Sequence, residues 1–259
     1  CIIYSMKITF LGTGTSQGIP VIGSKHPVCL SDDFKDKRLR VSVLVEWDDY
    51  TYVVDCGPDF RQQMLRVHCH KIDGILFTHE HSDHVAGLDD IRPFYFRQGD
   101  VQIYAHKRVL KALAKRFDYI FATENKYPGA PTVIANRIKN KPFKINNLEV
   151  IPVKGKHDTL QVFGFRFGDF AYLTDVKTIA ETEKVKLQNL DILIINAIRY
   201  QPHHSHLNLV EALELINELK PKKTYLTHIS HHLGFHTEVQ KTLPKNVFLA
   251  YDELVIEIK

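Results

Sequence analysis

At 259 residues, with 44% hydrophobic and 25% charged side chains, the chain is long enough for one large domain and apolar enough for a substantial core. No stretch is of low complexity, and no apolar run approaches the roughly 20 residues that a membrane helix needs. A formal net charge of +4 is mildly basic: it suits an anionic substrate without by itself pointing to nucleic acid.

Residues 7–11 alternate and end at Gly12-Thr13-Gly14, which reads as a strand followed by a tight glycine-rich turn. This loop lacks the Lys and Ser/Thr of a nucleotide-binding P-loop, so the expectation is a turn packed beside a site. Residues 41–46 and 51–54 flank Asp48-Asp49, a hairpin pattern, and Gly57-Pro58 then gives way to a helix over 59–67. A short apolar strand at 74–77 leads into Thr78-His79-Glu80-His81-Ser82-Asp83-His84. Further along come a strand at 101–104 and a helix over 107–117. Residues 118–143 lose all periodicity, and their Pro128, Gly129 and Pro131 suggest an excursion over an active site. The second half repeats the theme. Strands are predicted at 148–153, 163–167, 170–173 and 192–195, a helix from the Asn208/Glu211 capping pattern to Lys220, and strands at 224–226, 247–250 and 254–258. Two such halves, packed sheet against sheet with helices outside, give an α+β sandwich.

Cys1, Cys29, Cys56 and Cys69 show no disulfide spacing and read as reduced thiols of a cytoplasmic protein. Met6 stands just before the first strand, residues 1–5 read as an upstream extension, and no signal peptide is expected.

Histidine is the unusual feature, with 15 in all. His79, His81, Asp83 and His84 are four ligand-type residues within six positions, directly after a buried strand. A tight turn can aim one pair at one point and the next pair at a second point close by, as two adjacent metal ions require. His157, Asp175 and His228 each follow an apolar strand, where open sheets place their sites. Asp55, at the end of another strand, is placed with the catalytic group as the carboxylate that orients a ligand.

The order Asp55, His79-His81-Asp83-His84, His157, Asp175, His228 resembles the motifs of the metallo-β-lactamase superfamily over nearly the whole chain. The resemblance implies a single domain over 6–259 with the four-layer αββα sandwich. It further implies one metal on His79, His81 and His157, a second on Asp83, His84 and His228, and Asp175 bridging them together with a water or hydroxide. The metals would be Zn or Mn, with Fe a further candidate. An aspartate at the bridging position resembles the phosphodiesterases and their relatives rather than true β-lactamases.

Leu11 to Pro20 and Lys35 to Ser42 resemble the phosphoribosyl 1,2-cyclic phosphate phosphodiesterase family, as do Asp90-Ile91-Arg92-Pro93-Phe94 and Arg199 followed by His203-His204-Ser205-His206. In that family a third, structural zinc is held near the N-terminus. Here the matching residues are Ser24, His26 and Cys29, with His231, and Ser24 departs from the pattern because serine is a poor zinc ligand. By the same resemblance His206 protonates the leaving group or contacts phosphate; Arg92 and Arg199 are candidate substrate contacts. Arg38 and Arg40 are further anion contacts, and His203 and His204 are read as surface residues.

The expected activity is metal-dependent hydrolysis of a small or cyclic phosphodiester, with a homodimer as an open expectation and no membrane partner. The alternatives are a tRNA 3′-processing-type nuclease, a thioester or lactone hydrolase on the same metals, and a non-catalytic binding protein.

Overall fold

The structure, a computed structural model, describes residues 5–258. Cys1 and most of the predicted upstream extension therefore lie outside the described residues. The first sheet is built from β1 (Met6–Gly12), β2 (Ser42–Trp47), β3 (Tyr50–Val54), β4 (Gly74–Leu76), β5 (Val101–His106) and β6 (Val133–Ile138). The second is built from β7 (Phe143–Ile145), β8 (Leu148–His157), β9 (Leu160–Phe167), β10 (Phe170–Leu173), β11 (Thr178–Ile179), β12 (Ile192–Asn196), β13 (Lys223–Thr227) and β14 (Val247–Leu249). The last strand, β15 (Val255–Ile258), returns to the first sheet beside β1. The resulting orders are β15-β1-β2-β3-β4-β5-β6 and β11-β8-β9-β10-β12-β13-β14, with β7 paired to β8.

The two sheets face each other across one apolar layer. Ile8, Phe10, Val43, Val45, Trp47 and Tyr52 meet Phe163, Phe165, Phe167, Phe170, Tyr172 and Ile194, all fully or almost fully buried. The outer face of the first sheet is covered by Phe60 and Met64 of the helix Phe60–Arg66 and by Val109 and Leu113 of Lys107–Arg116. The outer face of the second is covered by Leu209, Ala212, Leu215 and Ile216 of the helix Leu209–Leu219. That helix starts on a reciprocal capping box. Asn208 Oδ1 accepts from the Glu211 amide (2.9 Å), and Glu211 Oε2 accepts from the Asn208 amide (2.9 Å). Helix, sheet, sheet, helix is the predicted sandwich.

One feature of this topology positions the site. β3, β4, β5 and β6 are mutually parallel, and so are β10, β12, β13 and β14. Parallel neighbours end on the same edge, so the residues just beyond β4, β10, β12 and β13 are brought together although as far apart in sequence as His79 and His228.

Two expectations are corrected here. The stretch 118–143 is not a structureless excursion: it holds a short helix, Asp118–Phe121, and β6. The sequence signal failed because β6 is a half-exposed edge strand that carries Asn136 and Arg137. The intervening loop also does not cover the active site. It is tied down at Arg92, whose guanidinium donates to the carbonyl of Gly129 and to Tyr127 Oη, 3.0 Å away. Cys29, Cys56 and Cys69 are free thiols, as expected.

Candidate metal centre

Three of the site residues sit in left-handed backbone one or two positions after a strand: Asp55 (φ 66°), Asp175 (φ 55°) and His228 (φ 53°). Asp and His tolerate this region better than most side chains, yet each such residue still costs of order 1–3 kcal/mol. The turn swings each side chain off the sheet edge and inward. The loop bearing His84 is seated by close backbone packing. A β-carbon on Gly57 would collide with the carbonyl of Asp83, and one on Gly87 with the carbonyl of Gly57. The Cys56 amide donates to the His84 carbonyl (2.7 Å), and the Gly87 amide to the Cys56 carbonyl (2.9 Å).

The result is two ligand groups sharing one residue. His79, His81, His157 and Asp175 form the first, and Asp83, His84, Asp175 and His228 the second; within each group the donor atoms lie within 4.8 Å of one another. Asp175 Oδ2 is 3.8 Å from His79 Nε2 and 4.0 Å from His157 Nε2, and Oδ1 is 3.4 Å from His84 Nε2 and 3.2 Å from His228 Nε2. All seven residues named from the sequence are thus gathered, in the pairing the resemblance implied. The Nε2 atoms of His79, His84 and His228 are buried and make no hydrogen bond of acceptable geometry. Buried imidazole nitrogens without partners, converging on carboxylate oxygens, are costly in an empty protein and satisfied by divalent cations.

The Nδ1 atoms of His84, His79 and His157 are anchored, whereas His228 Nδ1 is buried without a partner. His84 Nδ1 lies 2.7 Å from Asp55 Oδ2, His79 Nδ1 3.0 Å from Thr78 Oγ1, and His157 Nδ1 2.8 Å from the Ser205 carbonyl. Asp55 also accepts from the Thr78 amide (2.9 Å) and from Thr78 Oγ1 (2.8 Å). Asp55 is fully buried and does not line the cleft; its carboxylate contacts His84 and Thr78, the orienting position expected of it. Asn196 does the same for the turn after Asp175, accepting from the Val176 amide (2.9 Å) and donating to the Val176 carbonyl (3.1 Å). Thr78, Asn196 and the Ser205 carbonyl went unnoticed in the sequence. A Thr or Asn beside a strand end is common, and any residue can offer a carbonyl.

The electrostatics reflect mutual compensation. Burial alone would raise the Asp175 carboxyl, but His228, His84 and a hydrogen bond from His206 hold it well below the ordinary carboxylate range. Burial would likewise lower His84, yet Asp83, Asp175 and Asp55 together push it well above the ordinary histidine value. His79 goes the other way, lowered by burial and then by His84. Neutral imidazoles and ionised carboxylates are the forms that bind metal, and a cation would take over the role of the His84 proton.

His206 stands beside these groups. Its Nε2 is 3.2 Å from Asp175 Oδ2, and its Nδ1 is 3.1 Å from Ser205 Oγ and 3.2 Å from His203 Nδ1. Burial first, partly opposed by the Asp175 hydrogen bond, lowers it to about 4. His203 therefore belongs to the cleft rather than to the open surface expected of it.

The site opens into a cleft of about 300 Å³ whose rim includes Thr15, Ser16, Gln17, Arg199, His203 and His232. The glycine-rich loop does pack beside the site, as expected. The other arginines do not. Arg92 pairs with Asp89 (2.6 Å) and the Tyr127 loop, away from the cleft. Arg40 pairs with Asp59 (3.0 Å), and Arg38 is buried in a network of its own. The third, structural metal site is also not formed by the three residues named for it. His26 and His231 meet ring to ring (centroids 4.9 Å), but Cys29 packs in an apolar cluster with Ile19 and Val28. Among the described residues only the two groups sharing Asp175 bring three or more such donors together. Ser24 Oγ instead accepts from the His26 amide (3.2 Å).

Comparison with known proteins agrees with this geometry. The profile of the Beta-lactamase superfamily domain matches residues 50–229. The chain belongs to the β-lactamase superfamily. More particularly, it is similar to a crystallised diphosphatase of the PhnP family, with a TM-score of 0.93 and 39% identity, covering 99% of this chain and 98% of that one. It is also 38% identical over 252 residues to an octanoyltransferase of Porphyromonas gingivalis, covering 96% of this chain and 51% of that protein. A ribonuclease Z of Methanococcus maripaludis is 32% identical over 150 residues, 56% of this chain and 43% of the relative. The chain thus spans about half the length of the curated relatives it matches. Among the described residues no helix is long and apolar enough to cross a membrane.

Proposed function

We propose that the chain is a metal-dependent phosphodiesterase acting on small or cyclic phosphodiesters through a dinuclear centre of Zn or Mn. The observation that carries this reading is the pair of ligand groups sharing Asp175 at the floor of a small cleft whose rim offers cationic and hydrogen-bonding groups. His79, His81 and His157 would hold one ion, Asp83, His84 and His228 the other, and Asp175 both. When bound, such a pair supplies Lewis-acid polarisation of phosphoryl oxygens and lowers the pKa of water toward neutrality.

The chain's own residues do the rest. Asp55 and Thr78 hold His84 and His79 in the ring orientation the ions need. His206, at the cleft wall, takes up a second proton as the anionic substrate arrives and, as imidazolium, hands one to the departing oxygen. An approaching phosphate anion strengthens its hold on that proton, working against its burial. Arg199 meets the charge of the substrate. The diphosphatase relative supports phosphoryl chemistry. A cleft of this size suits a small substrate, and the ribonuclease Z relatives support a nuclease as the second reading.

The deciding experiment is turnover of bis-p-nitrophenyl phosphate, a ribose cyclic phosphate, an RNA strand, a thioester and a lactone by protein reconstituted separately with Zn and Mn. Selective cleavage of the small phosphodiesters is expected. Preference for the thioester or lactone would overturn the reading and move the chemistry to carbonyl carbon.

A further inference from the structure

The three histidines of the first ligand group come from two loops that belong to different sheets. His79 and His81 stand on the loop after β4, and His157 stands in the hairpin of β8 and β9, where it pairs with Leu160. A metal ion tolerates little error in the separation of its ligands, so one loop has to be fixed against the other. One backbone hydrogen bond joins them directly among the described residues, from the Phe163 amide to the Thr78 carbonyl (3.1 Å). It lies at the His79 end of the loop, and His81 is further out. His81 is the exposed member of its group, and no hydrogen bond holds its ring among the described residues. The ring meets only those of His79 and His157, at centroid distances of 4.6 and 5.1 Å.

Arg108 supplies the missing brace. It stands in the first turn of the helix Lys107–Arg116, which packs on the first sheet through Val109 and Leu113. Its guanidinium closes on Glu80, the residue between His79 and His81. Nε is 2.7 Å from Glu80 Oε1, and Nη2 donates to Oε2 at 3.1 Å. The same Nη2 donates to the carbonyl of Gln161, 2.5 Å away and next to Leu160 in the hairpin. One planar group thus reaches from loop to hairpin while gripping a carboxylate at two points, which the single ammonium of a lysine cannot do.

We propose that Arg108 is a positioning residue of the metal centre, a strut that sets the distance between the His79/His81 loop and the His157 hairpin and so tunes the first ligand group alone. The second group draws on Asp83, His84 and His228, which lie off this span. The inference takes from the reading above only that the first group holds an ion; it does not depend on the substrate.

Co(II) alone, titrated into the metal-free chain by calorimetry, reads each group in turn. In an Asp83→Asn background the first group is the complete one, and in a His81→Asn background the second is. Arg108→Met should weaken Co(II) binding about tenfold in the former, the scale of losing a group that orients a metal ligand, and leave the latter unchanged. Equal weakening in both backgrounds would mark a general structural effect and overturn the proposal, as would no weakening in either. A strut fails in the same way from either end. Glu80→Ala should therefore give the same loss as Arg108→Met, and the double variant no more than either alone. Losses that add would mean that the two residues act separately, and the strut would be wrong.

Hydrogen exchange of the metal-free chain gives a readout that needs no ion. In Arg108→Met the Phe163 amide should exchange faster, while the Ile194 amide, in the middle of the second sheet, keeps its protection. If the wild type takes up no Co(II), the dinuclear reading fails and exchange alone decides. Acceleration at Phe163 without change at Ile194 then upholds the strut, and unchanged exchange at Phe163 overturns it.

Discussion

Two buried clusters of histidine and aspartate lie in this molecule, and they are built on opposite plans. In the metal centre, the Nε2 atoms of His79, His84 and His228 converge without hydrogen bonds. In the second cluster every group is answered. Arg38 Nη1 donates to Thr13 Oγ1 (2.8 Å) and to the Ala250 carbonyl (2.6 Å), and Nη2 lies 3.2 Å from His236 Nδ1. Thr13 Oγ1 donates to Asp252 Oδ1 (2.8 Å), Asp252 Oδ2 accepts from the Leu39 amide (2.7 Å), and Asp36 Oδ1 accepts from the His236 amide (2.7 Å). None of the buried polar side-chain atoms of these five residues is left unpartnered. This network clasps the segment before β2 to the C-terminal segment before β15. The contrast teaches that burial of the same residue types does not mark function; the unanswered nitrogen does.

Substitution separates the two plans. Asp175→Asn removes the shared carboxylate, and kcat/KM on a phosphodiester should fall by a factor on the order of 10³ or more. The rise in melting temperature on adding Zn should shrink with it, since metal binding stabilises the folded state by mass action. Retention of wild-type turnover at full metal content would remove Asp175 from the centre. Arg38→Met should show the reverse pattern. Stripping one partner from a buried charged network costs about 3–5 kcal/mol, which in a domain of this size is a drop of roughly 10 °C. Turnover per folded molecule and the Zn-induced stabilisation should persist. A stable Arg38→Met protein lacking activity would instead place Arg38 in the site, as its sequence context had suggested.

What was legible in the sequence follows the same divide. Six of the ligands could be read because they are ligand-type residues within a few positions beyond an apolar strand, and parallel strands deliver such ends to one edge; the seventh, His157, closes the antiparallel strand β8. The four layers could be read from runs such as Phe163 to Phe167 and from the Asn208/Glu211 cap. The fate of the arginines could not. Arg38 finds Asp252 and Ala250 more than two hundred positions away, and Arg92 is taken by Asp89 and the Tyr127 loop, pairings that no local pattern announces. His203, beside Pro202 and His204, looks like open surface until the Ser205 turn folds it onto His206. Cys29 and His26 share a spacing with metal-binding relatives, but Cys29 is drawn into the apolar cluster with Ile19 and Val28.

The smallest expected effect concerns the pH response of the clasp. Burial, then Arg38 and Lys35, push His236 down to about 4 from an ordinary 6.5. The folded protein therefore holds this proton less tightly than the unfolded chain does. The stability His236 contributes is present above pH 6.5 and lost as pH falls toward 4. Asp252 has the opposite sign. Burial raises it to about 6, so its contribution is complete below 3.8 and lost as pH rises through 6. The two offset over much of the same range, which leaves the clasp with a muted pH response. In His236→Gln only the Asp252 arm remains. The melting temperature of the metal-free variant, relative to wild type, should then improve steadily as pH is lowered from 6.5 to 4. Using metal-free protein keeps the titration of His79, His81 and His84 common to both chains, so the difference reports on the clasp alone. Parallel melting curves across that range would mean that His236 binds its proton equally in the folded and unfolded chains, with Asp33 and Asp36 offsetting burial and Arg38.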